Sequence, residues 1–401
     1  MSVVFQDNIG WVLSHDMFVK SIYGEVYDNN VTCRLEFDPA LFKIETPFIN
    51  KAPVDSDNSL GSDSSGNLWF LPKKKRRTNR NGAESTNNSA EQVVNLVANK
   101  SSVLLNNAKK QGVFNCEPSS SDTLRRNEDA RNLSVIFYKE NSDEQNKTFH
   151  GANNQEFPII VSHGEKKYVF PPRCMFFNND ISNLNQKLDV LGKFDLLLLD
   201  PPWWNKYIRR KKQKSRESSY SMMYDEDLLK LPVASLIAPG ALVAVWCTNS
   251  ETHINTMKNK IFPSWGIECV SKWYWLKVTR SGIPVCNFSE PPNKQPFEQI
   301  LFAHQLCTPR SFPLPEDGKI VISIPSAIHS HKPPLTELSH MQSKCILLNE
   351  FQGRVEPVGS IMKTLINSKK YCQHICQIMP SVLSSLQDTC YLDGLAGEMK
   401  S

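Results

Sequence analysis

The chain has 401 residues, 40% of them hydrophobic, and a formal net charge of +5. That length allows one or two domains with a sizeable core, and so mild a basicity permits a polyanionic partner without requiring one. Eleven cysteines without paired spacing, no charged and then apolar leader and no run of about eighteen apolar residues argue against a disulfide-built secreted domain and a membrane-spanning chain. Free thiols in a reduced compartment are expected. Cys372, His374 and Cys376 lie close together, but no second pair at zinc-binding spacing completes a site, so no metal is expected.

In chain order, residues 1–50 mix apolar and polar side chains, and the alternation over 31–37 suggests a short strand. These residues read as a small N-terminal element. Over 51–132 Ser, Asn, Asp and Lys dominate. Such a stretch buries too little apolar surface to offset its ordering entropy. It is expected to be a mostly disordered linker with a short helix near 91–108. Its basic run Lys73-Lys74-Lys75-Arg76-Arg77 suits a nuclear-import receptor, which implies a nuclear location, with the cytoplasm as a second compartment.

A globular core is expected over 133–340, with a divergent tail over 341–401. Short apolar runs at 133–138, 159–162, 194–199, 241–248, 269–278, 299–303 and 320–324 read as strands. Helices are expected at 225–236, limited by Pro232, and at 251–261, capped by Asn249 or Ser250. Strands alternating with helices predict an α/β domain with a largely parallel sheet.

In open α/β sheets, ligands sit beyond the carboxyl ends of the strands. Asp200 follows the apolar run 194–199 directly, and Pro201, Pro202, Trp203 and Trp204 follow it. Methylating an exocyclic amine requires acceptors that hold its N–H bonds while the nitrogen lone pair forms a new bond. Asp200 can accept one such bond, and a carbonyl of Pro201-Pro202 the other, because proline has a fixed φ and no N–H. Trp203 offers a face for a flipped base. Seven of the eleven residues 206–216, among them Lys206, Arg209, Arg210, Lys211 and Lys212, are Lys or Arg. Beside such a pocket they would hold phosphates.

Leu199-Asp200-Pro201-Pro202-Trp203 resembles the motif of the adenine-N6 nucleic-acid methyltransferases, the family that includes the messenger-RNA methylating subunit. Four further stretches support the resemblance: Ser219-Tyr220-Ser221-Met222-Met223, Ala244-Val245-Trp246-Cys247-Thr248-Asn249, Trp273-Tyr274-Trp275-Leu276-Lys277 and Ser330-His331-Lys332-Pro333-Pro334. Together they span residues 170–335. The resemblance implies a Rossmann-like core and S-adenosylmethionine as methyl donor. It matches Asp200, Pro201, Pro202 and Trp203 to the catalytic motif. Asp180, Ile181, Asp200 and Lys332 match donor-binding positions, and Tyr220 and Glu298 match positions lining the adenosine pocket. Trp246, Trp273 and Trp275 are read as core.

The chain departs from the family beyond Pro334. The family pattern continues with a strand ending in Arg-Asn and then a Pro-Gly-Trp segment. Only a weak apolar run at 344–351 stands in that place. The tail is expected to be an alternative C-terminal form that does not replace the missing strand, leaving the core incomplete there.

The implied activity is N6-adenine methylation of nucleic acid by a monomer. Its implied substrate is the internal 2′-O-methyladenosine of U2 small nuclear RNA, with DNA adenine as the alternative. A catalytically impaired nucleic-acid-binding form, and a chain unable to fold stably, are the other readings.

Overall fold

The computed structural model describes residues 2–28, 31–34, 39–48, 84–114, 127–140, 149–163, 166–172, 174–178, 181, 184–185, 192–204, 222–305, 313–327, 332–335, 345–349 and 362–366. The N-terminal part holds β1 (Val3–Gln6), β2 (Gly10–Leu13), α1 (His15–Tyr23), β3 (Glu25–Asp28), β4 (Val31–Arg34) and a 3-10 turn (Pro39–Phe42). Two helices follow, α2 (Glu84–Lys110) and α3 (Glu128–Glu140), then β5 (Phe149–Asn153), β6 (Ile159–His163), β7 (Lys166–Phe170) and β8 (Cys174–Asn178). The central part comprises β9 (Phe194–Asp200), α4 (Asp225–Leu229), α5 (Val233–Leu236), β10 (Ile237–Cys247), α6 (Glu251–Thr256) and β11 (Glu268–Lys277). It ends with β12 (Phe297–His304), β13 (Ile320–Ser323), β14 (Cys345–Asn349) and β15 (Met362–Ile366). Among the described residues no helix is long and apolar enough to cross a membrane.

Eleven strands form one sheet in the order β1-β2-β13-β11-β12-β10-β9-β14-β15-β8-β5, and β4-β3-β6-β7 form a second. The large sheet is mixed, which corrects the expectation of a largely parallel one. Strand β9 pairs in parallel with β10 and β14, but β12 runs antiparallel between β10 and β11. The sequence Phe-Asp-Leu-Leu-Leu-Leu-Asp of β9 is nearly all apolar because both of its faces are covered. Leu197 and Leu199 pack with Val243, Val245, Met257 and Phe262 on one face. Leu196 and Leu198 pack with Trp246, Trp273, Trp275 and Ile300 on the other. Each fully buried leucine contributes about 1.5–3 kcal/mol. The three tryptophans sit in the core, as expected.

Three domain expectations are corrected. First, residues 1–50 are not a separate element: β2 pairs in parallel with β13, extending the large sheet. The approach is so close that a Cβ on Gly10 would lie 1.8 Å from the Ile320 carbonyl oxygen, which only glycine avoids. His15 and Trp275 both reach the Ser323 hydroxyl, at 2.9 and 2.8 Å. Second, the linker 51–132 contains α2, which is longer than the expected helix. Its Val94, Val97, Leu104, Leu105 and Ala108 recur at helical spacing and bury against Val12, Tyr274, Leu276 and Ile322. Third, the tail supplies the strand it was expected to lack. Residues Cys345 to Asn349 align with Leu196 to Asp200 in a parallel pairing. Backbone hydrogen bonding needs only an extended segment in register, not the missing Arg-Asn ending.

Residues 133–138 form a helix, not a strand. They lie within α3, where Glu128 and Asp129 occupy the first turn and favour its positive end. Ala130 anchors α3 against Ile44 and Val285, while Val135 and Ile136 stay exposed. The helix expected at 225–236 is broken into α4 and α5 around Pro232, as its missing N–H requires. At the second expected helix, Ser250 occupies the cap position, and the Asn249 amide donates to the Phe297 carbonyl instead, at 2.6 Å.

If β14 closes the edge of β9, a chain ending at residue 344 should lose stability. Its thermal midpoint should fall by several degrees and it should bind an apolar dye, because the β9 edge is exposed. An unchanged melt would place β14 outside the folded core.

Candidate active site

The carboxyl end of β9 is where the chain changes faces of the sheet. Side chains alternate along a strand, so Asp200 falls on the face of Leu196, Leu198 and Trp246. Trp203 packs with Leu197, Leu199 and Val245 on the opposite face. Pro201-Pro202 carries the backbone over the edge between them. This turn is pinned at several points. The Trp203 amide donates to the Pro201 carbonyl at 2.9 Å, and the Met223 amide donates to the Pro202 carbonyl at 2.8 Å. Each proline carbonyl therefore keeps one lone pair beyond these bonds.

Trp203 does not offer the stacking face expected of it. Its side chain is buried, and its indole N–H donates to the Trp246 carbonyl at 2.8 Å. A tryptophan that becomes buried must satisfy that N–H, so the ring serves as an anchor for the turn. Trp204, the next residue, stacks on Tyr224 with ring centroids 6.5 Å apart, and Tyr224 is 54% exposed.

Around Asp200 the sheet gathers an alternating chain of charges. Lys332 lies 3.2 Å from the Asp200 carboxylate and 2.9 Å from the Glu298 carboxylate. Lys277, at the end of β11, pairs with the other oxygen of Glu298. Lys332 stands over the Trp246 ring at 5.7 Å, and Lys277 over the Trp275 ring at 4.5 Å. Such contacts favour a cation on an aromatic floor.

Electrostatics differ between the two carboxylates. Burial pushes the Asp200 carboxyl up; Lys332 opposes this and the charge of Glu298 adds to it, leaving it at about 6. Burial would also raise Glu298, but Lys277 and Lys332 together hold it well below the usual carboxylate range. Burial would lower Lys332, yet Asp200 and Glu298 keep it above the ordinary lysine value. Two carboxylates on one cation thus divide into a firmly ionised member and one poised near neutrality. Cys247, at the end of β10, is held as a thiol: burial raises it well above its ordinary value, and Cys269, Asp200 and Asp225 add to the effect.

Of the residues expected at a site, Asp200, Glu298 and Lys332 are brought together, with Pro201 and Pro202 beside them. Ile181 is partly buried against the cluster that holds Leu197 and Trp203. Asp180, Lys206, Arg209, Arg210, Lys211, Lys212 and Tyr220 lie outside the described residues, as do Lys73–Arg77 and the Cys372–Cys376 stretch. Lys277 was not expected as a site residue, although its place two positions after Trp275 at a strand end was a usable signal. Nor were Asp225 and His253, which are 28 positions apart and meet at 2.9 Å. Nothing in the sequence links them.

Two of the three Lys332 N–H donors serve described residues, which leaves one for a carboxylate such as that of an amino-acid ligand.

Removing the cation should be costly. Lys332→Met leaves Asp200 without a counter-charge of its own, beside a Glu298 that keeps Lys277. Such a loss from a buried pair costs about 3–5 kcal/mol. Chemical denaturation should show that deficit at neutral pH. It should shrink as pH falls, because protonation then relieves the unpaired Asp200. A deficit independent of pH would contradict this account.

Residues 194–355 match the MT-A70 family, and the match continues past residue 340 through β14. The human N(6)-adenine-specific methyltransferase METTL4 is 33% identical over 195 residues, covering 46% of this chain and 40% of that protein. The Caenorhabditis elegans DNA N6-methyl methyltransferase is 36% identical over 45% of this chain and 47% of its own length. The N6-methyladenosine RNA methyltransferase MTA1 of Cryphonectria parasitica is 34% identical over 45% of this chain and 54% of its own length. The chain thus spans between 40% and 54% of these relatives. The matched stretch carries Asp200, Glu298 and Lys332, and over it the chain is similar to the MT-A70 family and to these N6-adenine methyltransferases.

Proposed function

We propose that this chain methylates the N6 amine of adenine in nucleic acid, with S-adenosylmethionine as the donor. The observation that carries the proposal is a buried Asp200 at a strand's carboxyl end, held by Lys332 and followed by two proline carbonyls. Asp200 would accept one N6–H bond and a proline carbonyl the other, concentrating electron density on a weakly nucleophilic nitrogen. When bound, the donor supplies a methyl group on a cationic sulfur. Lys332 would hold the donor's carboxylate, and Asp180 and Ile181 its adenine. As the N–C bond forms and the donor's S–C bond breaks, N6 must shed a proton, which Asp200 would receive. With a value of about 6, it is mostly ionised at neutral pH.

The stacking role falls to Trp204 and Tyr224, whose rings flank the turn and of which Tyr224 is open to solvent. Base stacking of this kind contributes on the order of 1–3 kcal/mol. Lys206, Arg209, Arg210, Lys211 and Lys212 would hold phosphates beside it, and Tyr220 with Glu298 would line the adenosine pocket.

In its finer form, the target is the internal 2′-O-methyladenosine of U2 small nuclear RNA, acted on by a monomeric nuclear protein imported through Lys73–Arg77. That form rests on the resemblance to the METTL4-like proteins. A DNA adenine is the second reading, favoured by the name of the worm relative.

Labelled methyl transfer to matched RNA and DNA oligonucleotides tests the proposal. Wild-type protein should label adenine N6, and Asp200→Asn should lose at least 100-fold, the scale set by removing one preorganised polar group. Between pH 5 and 7 the rate should rise, because Asp200 ionises through about 6. Tyr224→Ala should raise KM for the oligonucleotide severalfold and leave that for the donor alone. Label on cytosine, or undiminished transfer by Asp200→Asn, would overturn the proposal. Preference for DNA would overturn only the finer form.

A further inference from the structure

Two segments flank the end of β11 that carries Lys277. The first is 44–48. The Val285 amide donates to the Lys277 carbonyl at 3.0 Å, and the Phe48 amide donates to the Val285 carbonyl at 2.7 Å. Two hydrogen bonds across one residue put the Phe48 backbone within about 10 Å of the Lys277 carbonyl. The second is the loop 289–296. The Lys277 amide donates to the Pro296 carbonyl at 3.0 Å. Lys294 stands two residues before Pro296, so its backbone is within about 7 Å of that proline. The two segments meet where the Lys294 ammonium lies over the Phe48 ring, 5.6 Å from its centroid. Burial pushes the Cys286 thiol up, while Lys294 and Lys277 both draw it back, so the two cations lie near one buried group.

Phe48 is 42% exposed, and Lys294 is exposed as well. Among the described residues no carboxylate pairs with the Lys294 ammonium, whose partner is the Phe48 ring. A lone exposed ring is ordinary on a protein surface. A ring joined to an uncompensated ammonium, at the rim of a nucleic-acid site, offers a nucleotide what it needs: a π face for the base and a cation for the phosphate.

Both groups sit on fixed backbone. Ile44 is buried with Ala130 and Val285, and its carbonyl accepts from the Arg280 amide at 2.8 Å. In the loop, the Gln295 side chain accepts from the Ser289 amide at 3.2 Å. It donates to the Ser289 carbonyl at 2.5 Å and to the Asn293 carbonyl at 3.2 Å. Groups held this way lose little further freedom when a ligand binds.

We propose that Phe48 and Lys294 form a subsite for one nucleotide of the substrate strand beside the target adenine, its base on the Phe48 ring and its phosphate on the Lys294 ammonium. The inference rests on the nucleic-acid reading of the site for its ligand. Residues 44–48 lie outside the stretch matched to the family, so the subsite joins the N-terminal part of the chain to the catalytic part. Its ligand is a single strand, because a base within a duplex has no open face for the ring. Stacking reads no base edge, so the subsite extends the footprint without selecting a sequence. The acids on these segments are Glu45, which Arg280 holds at 3.5 Å, and Glu290, exposed on the loop. They limit the phosphate contact to the one made by Lys294.

Fluorescence anisotropy of a labelled single-stranded RNA with one adenine tests the inference by binding alone. Phe48→Ala should weaken Kd at least about 5-fold, the lower end of one lost base stack. Lys294→Gln should weaken it too, and should lower the slope of log Kd against log salt by about 0.7, the share of one phosphate on a single strand. In methyl transfer, KM for the strand should rise in both variants, with kcat and donor KM little changed. Wild-type Kd in either variant, or a wild-type salt slope in Lys294→Gln, would overturn the inference, as would a wild-type protein without affinity for the strand. Binding that depends on both residues, in a protein that transfers no methyl group, supports the inference while the methyltransferase reading fails. Methyl transfer by the wild type with unaltered binding in the variants gives the reverse.

Discussion

A single ammonium group, that of Lys332, stands between two carboxylates at the edge of the central sheet, and the site depends on it. Without that cation Asp200 would face the Glu298 charge in a partly dehydrated space with no counter-charge of its own, which disfavours its ionised form. With it, and with Lys277 on the far side of Glu298, the two acids separate in strength. Glu298 becomes a fixed anion that holds Lys332 in place. Asp200 remains close to neutrality, able both to accept a hydrogen bond and to take up a proton. The floor under the cations is aromatic, Trp246 below Lys332 and Trp275 below Lys277, so neither charge rests on bare hydrocarbon.

The sheet makes this arrangement without any one strand carrying more than one or two of the groups. Strands β9, β10 and β11 end at the same edge, and β12 begins there because it runs the other way. Asp200, Trp246 and Lys277 thus arrive on strand ends, and Glu298 on a strand start, while Lys332 enters on the segment after β13. An all-parallel sheet would place the start of β12 at the opposite edge and take Glu298 with it. The mixed topology is therefore a requirement of the site. Behind it, the turn from Asp200 to Trp204 is held by its own amides and by the indole of Trp203. Anchoring that ring in the core fixes the backbone that carries both proline carbonyls.

Part of this was legible in the sequence. The run of β9 stands out because a strand buried on both faces is nearly all apolar, here interrupted only at its second residue, Asp195, and at its end, which Asp200 marks. Glu298 and Lys332 came from the resemblance, since a lone acid in a strand and a lysine before two prolines carry no signal of their own. Lys277 stood only as the last residue of a stretch that carries the resemblance and was given no role of its own. The role given to Trp203 was wrong because the sequence shows an aromatic pair but not which ring turns inward; its neighbour Trp204 is the one that meets Tyr224. Residues 133–138 are rich in β-branched and aromatic types, and local propensity pointed to a strand; acidic residues ahead of them and the packing of Ala130 decide for a helix. Strands β1 and β2, four residues each, are too short to show a period. The partnership of Asp225 with His253 arises only from the fold.

Asp200 and Lys332, 3.2 Å apart, act as one electrostatic unit. A double-mutant cycle on folding stability at neutral pH, with Asp200→Asn, Lys332→Met and the two combined, tests it most directly. Residues in one ionic network show coupling energies of about 0.5–3 kcal/mol. The account predicts coupling in the upper part of that range, with Asp200→Asn offsetting part of the loss caused by Lys332→Met. Additive effects of the two substitutions would contradict it.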